Sequence, residues 1–337
     1  MRNRKSSFFY LAFCLCSVFL TACAREAFNV DVRGEIYGTY YHIKYRHTED
    51  ITRELSHEMK RVDASLSLFN PSSVLSRINR GESDDTDTLF RRVFRQAQKV
   101  YWETDGAYDI TIAPLVNAWG FGPGEERLPD SARIDSLRRL VGMSKAQLQE
   151  EKLVCRISGM QWDAGSIAKG LGVDLVAECL ERHGVQSYMV EIGGEVRVKG
   201  MNDRRKPWRI GIDRPEDDPA AQSRELQMIL KMTEGALATS GNYRNFYLHE
   251  GRKYAHTIHP LTGYPVQTDI LSASVYASSC MAADAYATAF MVTGAERAKR
   301  LIEKNPGLEG CLIYEENGSL KTWISEGLKA KVVSPDE

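Results

Sequence analysis

The sequence predicts an α+β domain with a largely antiparallel sheet flanked by helices. From Leu153 onward, short runs with the composition of β-strands are separated by tight turns, among them Gly193-Gly194 and Glu250-Gly251. In the first half of the chain, apolar residues recur at helical spacing instead. Strands and helices do not alternate as they do in repeated βαβ units, which argues against a doubly wound parallel sheet.

Helices dominate the first half of the chain. The turn at residues 70–73, Asn-Pro-Ser-Ser, is suited to begin a short helix because serine caps the free N–H groups of a helix start. The predicted elements are a strand at 35–46 around Gly38, an amphipathic helix at 49–66, a short helix ending near Asn79, a helix through Leu89, Val93, Ala97 and Val100 that Gly106 interrupts, and a short apolar helix at 110–119.

Strands dominate the second half. The predicted strands are at 153–158, 187–199, 208–213, 225–232, 243–249, 253–258, 311–315 and 320–324, and two helices at 166–183 and 280–304 lie among them. The acidic, proline-containing stretch 213–222 is interpreted as a surface loop rather than a linker. Residues 23–337 are therefore expected to form one domain.

The first 22 residues predict a lipoprotein signal peptide. Three cations lie within the first five residues, and the apolar stretch 8–20 is too short to span a bilayer as a permanent helix. Leu20-Thr21-Ala22-Cys23 is the pattern that a lipoprotein signal peptidase recognises. We expect lipid on Cys23 and a location on the periplasmic side of the inner membrane. The alternatives are a signal peptide without lipidation and a short anchor helix.

Composition limits the classes of partner. The formal net charge of −1 becomes −4 without the signal peptide, which gives no reason to expect nucleic acid as a partner. Beyond the predicted signal peptide the cysteines are widely spaced without a CxxC pair, which argues against a metal cluster and leaves a disulfide open. These cysteines are Cys155, Cys179, Cys280 and Cys311.

The segment 163–172, Asp-Ala-Gly-Ser-Ile-Ala-Lys-Gly-Leu-Gly, suits a diphosphate. Small residues let the backbone approach a ligand, a helix start offers free N–H groups, and Lys169 adds a positive charge. The spacing fits neither the P-loop nor the dinucleotide-binding GxGxxG pattern. The alternative is an ordinary helix start whose glycines permit close packing.

The helix that begins near Cys280 carries a candidate metal site. Asp284 and Thr288 are four residues apart, so both oxygens leave the same helix face. A carboxylate and a hydroxyl are hard ligands suited to Mg²⁺, which shares phosphate oxygens. The alternative is a structural aspartate and a threonine bonded back to its own helix.

A candidate proton acceptor, His256, lies where a predicted strand meets a Pro/Gly turn. Histidine can accept a proton from a hydroxyl near neutral pH. A single histidine is more often structural, and pairing it with His259 on a transition metal is weakly supported without a third ligand.

Two further segments are ambiguous. Ser240 in the segment 239–244 lacks the GxSxG context of a serine hydrolase, so a turn that leads into a strand is the default interpretation. Aromatic residues in the segment 106–123 could stack on a flat ring system or pack in the core.

Taken in order, these segments resemble the ApbE family, the FAD:protein FMN transferases. The resemblance extends from about Gly34 to Thr322 and is carried by FNPSSVLSRIN (69–79), GAYDITIAPLVNAWGFGP (106–123), DAGSIAKGLGVD (163–174), EIGGEVRVKG (191–200), TSGNYR (239–244), YAHTIHPLTGYPV (254–266) and ADAYATAFMV (283–292).

The resemblance implies a thymidylate-synthase-like nucleotide-binding fold with FAD between the sheet and the helices. It implies His256 as the catalytic residue and a Mg²⁺ site made by Ser166 (through its carbonyl), Asp284, Thr288 and the backbone of Ala287. The residues that it implies for FAD binding are Tyr37, Phe69, Ala107, Tyr108, Asp109, Asp163, Lys169 and Ile258. The chain departs from the family in having Tyr37 where methionine is usual and His259 where aspartate or asparagine is frequent.

The implied reaction transfers FMN from FAD to a threonine hydroxyl of an exported redox protein, with AMP as the other product. FAD, exported flavin-accepting subunits of electron-transport complexes and the membrane are the implied partners. The alternatives are a Mg²⁺-dependent FAD pyrophosphatase and a periplasmic flavin-binding lipoprotein without turnover.

Overall fold

The computed structural model describes residues 27–122, 128–215, 225–242, 246–249 and 252–333; the predicted signal peptide and Cys23 lie outside them. Its strands are β1 (Phe28–Ile36), β2 (Thr39–His47), β3 (Ala146–Gln149), β4 (Lys152–Cys155), β5 (Tyr188–Ile192), β6 (Glu195–Lys199), β7 (Trp208–Asp213), β8 (Leu226–Met232), β9 (Glu234–Gly241), β10 (Phe246–His249), β11 (Arg252–Ala255), β12 (Ile270–Ala277), β13 (Leu308–Glu316), β14 (Ser319–Ile324) and β15 (Val332–Val333).

The central sheet has eight strands in the order β1-β2-β5-β6-β9-β12-β13-β14, and each neighbouring pair is antiparallel. Smaller sheets have the orders β15-β8-β7, β10-β11 and β3-β4. The prediction of an α+β fold with a largely antiparallel sheet is confirmed.

Helices cover this sheet and connect its strands. The described helices are α1 (Thr52–Leu66), α2 (Val74–Asn79), α3 (Thr88–Glu103), α4 (Ala113–Ala118), α5 (Ser131–Arg138), α6 (Ala168–Arg182), α7 (Cys280–Thr293), α8 (Ala295–Lys304) and α9 (Glu326–Lys329), with a 3₁₀ turn at Met143–Lys145. The capping prediction for α2 is confirmed, since the Ser73 hydroxyl accepts a hydrogen bond from the Ser76 N–H at 3.0 Å.

The single strand predicted at 35–46 is wrong, because the chain folds back at Tyr37-Gly38. Both residues have positive φ, +54° and +72°, and they join β1 to β2 as a two-residue hairpin turn. An aromatic residue is unfavourable in this conformation, so local preference did not indicate the turn. Tyr37 is held there by its hydroxyl, which donates to the Met59 carbonyl at 2.7 Å.

Two central strands, β9 and β12, were not predicted from the sequence. β9 reads EGALATSG and β12 reads ILSASVYA, and alanine, glycine and serine are weak indicators of a strand. The interpretation of residues 239–241 as a turn is therefore wrong, since they end β9. The region 187–199, predicted as strand with a tight turn at Gly193-Gly194, is the hairpin of β5 and β6, whereas the strand predicted at 253–258 ends at Ala255. The helix predicted at 280–304 is two helices that meet at Gly294, whose φ is +78°.

The core lies where α6 and α7 pack against each other and against the sheet. α6 contacts β5 and β6, while α7 contacts β9 and β12. A Cβ atom at Gly170 would lie 2.5 Å from the carbonyl oxygen of Cys280, so a side chain at position 170 would separate the two helices. The alternative interpretation of the glycines as packing residues is thus correct at this position.

Among the residues that the structure describes, none of the helices has the length and hydropathy of a membrane span. The four cysteines left open as disulfide candidates are free thiols, of which only Cys155 is exposed.

Candidate active site

A cavity of about 1030 Å³ opens between the sheet, the starts of α4 and α6, and one face of α7. It brings together ten of the residues predicted from the sequence, which come from widely separated parts of the chain. These residues are Ala107, Tyr108, Asp109, Asp163, Ser166, Lys169, His256, Ile258, Asp284 and Thr288.

Lys169 lies in the first turn of α6 and reaches across to the sheet. Its ammonium is 2.5 Å from the Glu195 carboxylate, on the first residue of β6. The preceding turn, Gly193-Gly194, has φ values of +63° and +100°, and a Cβ at Gly193 would lie 3.3 Å from Cδ of Lys169. The glycine turn therefore leaves room for the lysine stem beside its partner.

Asp284 of α7 faces the same helix start. Its Oδ2 accepts a hydrogen bond from the Gly170 N–H at 3.0 Å, although the aspartate is only 3 % exposed. One turn further along α7, the Thr288 hydroxyl lies 3.2 Å from the Ser240 hydroxyl on β9. The two side chains share one helix face, as their spacing predicts.

Burial and charge act in opposition on these groups. Burial raises the pKa of the Asp284 carboxyl above its ordinary value, against the Lys169 ammonium and the Gly170 N–H, which lower it. Burial alone would lower the pKa of Lys169, but Glu195 and Asp284 outweigh it and raise that pKa. Lys169 therefore stays charged, whereas the carboxylate form of Asp284 is disfavoured unless more positive charge is nearby.

His256 follows β11 directly and lines the cavity, beside the aromatic ring of Phe121 at a centroid distance of 6.5 Å. The turn after it is fixed from two sides. Trp119 donates its indole N–H to the Gly263 carbonyl at 2.8 Å, and the Leu261 N–H donates to Nδ1 of His259 at 3.2 Å. His259 thus contributes to the turn.

The loop at 106–109 forms a further part of the wall. The hydroxyl of Ser166 donates to the Tyr108 hydroxyl at 3.0 Å, which joins this loop to the start of α6. The Asp109 carboxylate accepts hydrogen bonds from the Thr111 hydroxyl at 2.6 Å and from the Met143 N–H at 3.1 Å. Asp109 therefore also holds the loop in shape.

Three of the expected site residues do not line the cavity. Tyr37 packs against Gly172, where an added Cβ would lie 3.1 Å from the tyrosine ring. Phe69 is 81 % exposed on the loop before α2, and Ala287 has no exposed surface within α7. Their roles toward FAD or a metal stay predictions.

Sequence reasoning assigned no role to Glu195 or Asp174. Asp174 is fully buried in α6 and accepts hydrogen bonds from the Met281 N–H at 2.9 Å and from Arg197 at 2.8 Å. It thereby joins α6 to the start of α7 and to the sheet. Both acidic residues lie within segments that carry the resemblance, and the apolar neighbours of Asp174 could have suggested a buried acidic residue there, whereas the mixed segment around Glu195 carried no such signal.

The part of the chain that the structure describes contains no group of three or more histidine, cysteine or acidic side chains placed to hold a metal ion. A divalent cation would therefore be held by few side-chain oxygens and backbone carbonyls, with water or the phosphates of a ligand completing its shell. That donor set is the one Mg²⁺ commonly uses with nucleotides.

Comparison with known proteins places this site in a family. The sequence model of the ApbE family matches residues 37–312. The chain belongs to the ApbE family. A relative from Vibrio cholerae serotype O1, named FAD:protein FMN transferase, is 36 % identical over 324 residues, which cover 92 % of this chain and 95 % of the relative. A protein of the same name from Haemophilus influenzae is 36 % identical over 316 residues, 89 % of this chain and 90 % of the relative.

Solved structures agree with this membership of the ApbE family. The flavin transferase ApbE from Vibrio cholerae has a TM-score of 0.82 and 34 % identity, covering 90 % of this chain and 99 % of that protein. The apo form of the Pseudomonas stutzeri flavinyl transferase ApbE has a TM-score of 0.79 and 29 % identity, covering 91 % of this chain and 97 % of that protein. The fold and the family expected from the sequence are confirmed.

Proposed function

We propose that this chain is an FAD:protein FMN transferase that moves FMN from FAD to a threonine hydroxyl of an acceptor protein. Membership of the ApbE family supports a flavin transferase. The observation that carries the assignment to this site is that one cavity joins the start of α6, the Asp284 face of α7 and His256. A dinucleotide, a metal and a proton acceptor could meet there.

The donors present fit a Mg²⁺ ion. Asp284 is buried, and the structure records one hydrogen bond to its carboxylate, from Gly170, so the second oxygen is available among the described residues. Asp284 and Thr288, with the carbonyl of Ser166 and the backbone of Ala287 as further candidates, would hold the ion. When bound, Mg²⁺ would neutralise negative charge on the diphosphate of FAD.

In the proposed reaction the threonine oxygen forms a bond to the FMN-side phosphorus while the bond from that phosphorus to the bridging oxygen breaks. AMP leaves with that oxygen. His256 accepts the proton of the threonine hydroxyl, and Lys169 offsets charge on the phosphates. Phosphoryl transfer of this kind depends mainly on such positioning and charge stabilisation.

The other residues expected to contact FAD are part of the cavity wall. Ala107, Tyr108, Asp109, Asp163 and Ile258 line the cavity and would contact FAD there.

We further propose that the acceptor is an exported subunit of an electron-transport complex and that lipidated Cys23 holds the enzyme on the periplasmic side of the inner membrane.

The reaction is tested by incubating the purified protein with FAD, Mg²⁺ and such an acceptor subunit. We expect flavin fluorescence that stays on the denatured acceptor, together with one AMP per flavin attached. An acceptor whose target threonine is replaced by valine should take up no flavin. Release of free FMN without an acceptor, at the rate seen with one, would instead identify a pyrophosphatase.

His256→Gln tests the proton acceptor. The rate of transfer should fall by about 10²–10⁴, the usual contribution of general base catalysis, while FAD binding persists. The matched control is His57→Gln on the exposed face of α1, which should keep the wild-type rate. A His256→Gln enzyme with wild-type turnover would reject the role of this residue. If cells that carry the His256 variant show the same flavin metabolism as cells with the wild type, a protein that only binds flavin is favoured.

A further inference from the structure

Glu195 is a carboxylate in an unusual position, since it is 2 % exposed yet lies on the wall of the active-site cavity. One of its oxygens contacts the Lys169 ammonium at 2.5 Å. The other, Oε2, is buried and has no hydrogen-bond partner among the described residues. Burying a carboxylate with one oxygen unsatisfied is costly, and Lys169 is the ion-pair partner recorded for Glu195 among the described residues. The ion pair with Lys169 therefore offsets part of the cost of burying Glu195.

Lys169 has a second carboxylate within its neighbourhood. The Gly170 N–H, on the very next residue, donates to Asp284, and the charges of Lys169 and Asp284 influence each other. A lysine side chain is long and flexible, and its ammonium pairs with whichever carboxylate it can reach. Without Glu195, the ammonium would be left to Asp284 and would occupy the space in which a divalent cation has to bind.

Two features of the sheet contact the Lys169 side chain. Glu195 begins β6 directly after the Gly193-Gly194 turn, and the stem of Lys169 passes Gly193, where an added Cβ would lie 3.3 Å from its Cδ. The turn and the carboxylate together draw the lysine toward the sheet and away from α7. We propose that Glu195 is a positioning residue that engages and offsets the Lys169 ammonium, so that Asp284 remains available to a divalent cation.

This inference rests on the proposed metal site at Asp284, and the test separates the two. Mn²⁺ alone, without flavin, is titrated into the purified full-length protein while electron paramagnetic resonance measures free Mn²⁺. The wild-type protein should bind the ion, and Glu195→Gln should weaken binding at least about tenfold, which corresponds to about 1.4 kcal/mol. Glu195→Asp, which keeps the charge but loses reach, should fall between them.

The double variant Glu195→Gln/Lys169→Met decides the mechanism. Because it removes the ammonium along with its partner, it should bind Mn²⁺ within about threefold of the wild type, a rescue that a merely structural role of Glu195 would not produce. Absence of binding to the wild-type protein would reject the metal site itself. Wild-type affinity in Glu195→Gln, or a double variant as weak as the single one, would overturn the role given to Glu195.

Discussion

The ring of His259 takes the place of an asparagine side chain in an Asx turn. Its Nδ1 accepts a hydrogen bond from the N–H two residues ahead, on Leu261, at 3.2 Å. Asparagine and aspartate make the same bond through a side-chain oxygen, so histidine can hold the turn where the resemblance leads us to expect one of those residues. The turn that follows His256 is therefore preserved by different chemistry.

This substitution makes the turn sensitive to pH. Burial and the charge of Arg297 lower the pKa of His259 in the folded protein below its ordinary value. The folded state then binds fewer protons than the unfolded state, so the contribution to stability is present above about pH 6.5 and is lost as the pH falls through the lowered pKa.

His259→Asn should remove this loss of stability at low pH. Between pH 7.5 and pH 5 the melting temperature should fall about 2 °C less in His259→Asn than in the wild type; parallel decreases in the two proteins would contradict this account.

At the scale of elements, the contact between α6 and α7 places Lys169 beside Asp284, and two glycines of α6 offer a matched comparison. A Cβ at Gly170 would meet the backbone of Cys280 at 2.5 Å, whereas one at Gly172 would meet the end of the Tyr37 ring at 3.1 Å. A ring can shift more easily than a helix backbone. Gly170→Ala should lower the free energy of unfolding by about 1–3 kcal/mol despite the better helix propensity of alanine. Gly172→Ala should cost less, as urea unfolding would show, and a Gly170→Ala protein as stable as the wild type would refute the close contact.

How far the elements could be predicted depended on their side chains. α1 and α3 carry apolar residues at helical spacing and were correctly predicted. β9 and β12 were not, because strands packed closely under α7 use small residues that have weak β propensity. The turn at Tyr37 was hidden for a related reason: its tertiary contact with Met59 supports a backbone conformation that local preference disfavours.

At the scale of the whole molecule, the cavity is assembled from segments that are distant in sequence. Asp284 contacts Gly170 across 114 residues, and Thr288 contacts Ser240 across 48. Local patterns singled out Lys169, Asp284 and His256 as candidates, and only the ordered resemblance to a family indicated that they belong together. Glu195 was not assigned a role because its importance arises from a contact with a residue on another element.

We propose that the first residues direct the enzyme outward and that a lipid on Cys23 fixes it to a membrane. The first strand, β1, begins at Phe28, five residues after Cys23. A segment of about five residues can reach roughly 17 Å at most, so a lipid on Cys23 would hold the domain close to the membrane surface, where it could meet membrane-bound acceptors. Full-length protein produced in bacteria should incorporate an alkyne-labelled fatty acid and sediment with membranes. Cys23→Ser should take up no label, while Cys155→Ser, which alters an exposed thiol of the folded domain, should label as the wild type does. Labelling that persists in Cys23→Ser, or a wild-type protein without lipid, would remove the anchor from the proposal and leave the flavin chemistry to stand on its own tests.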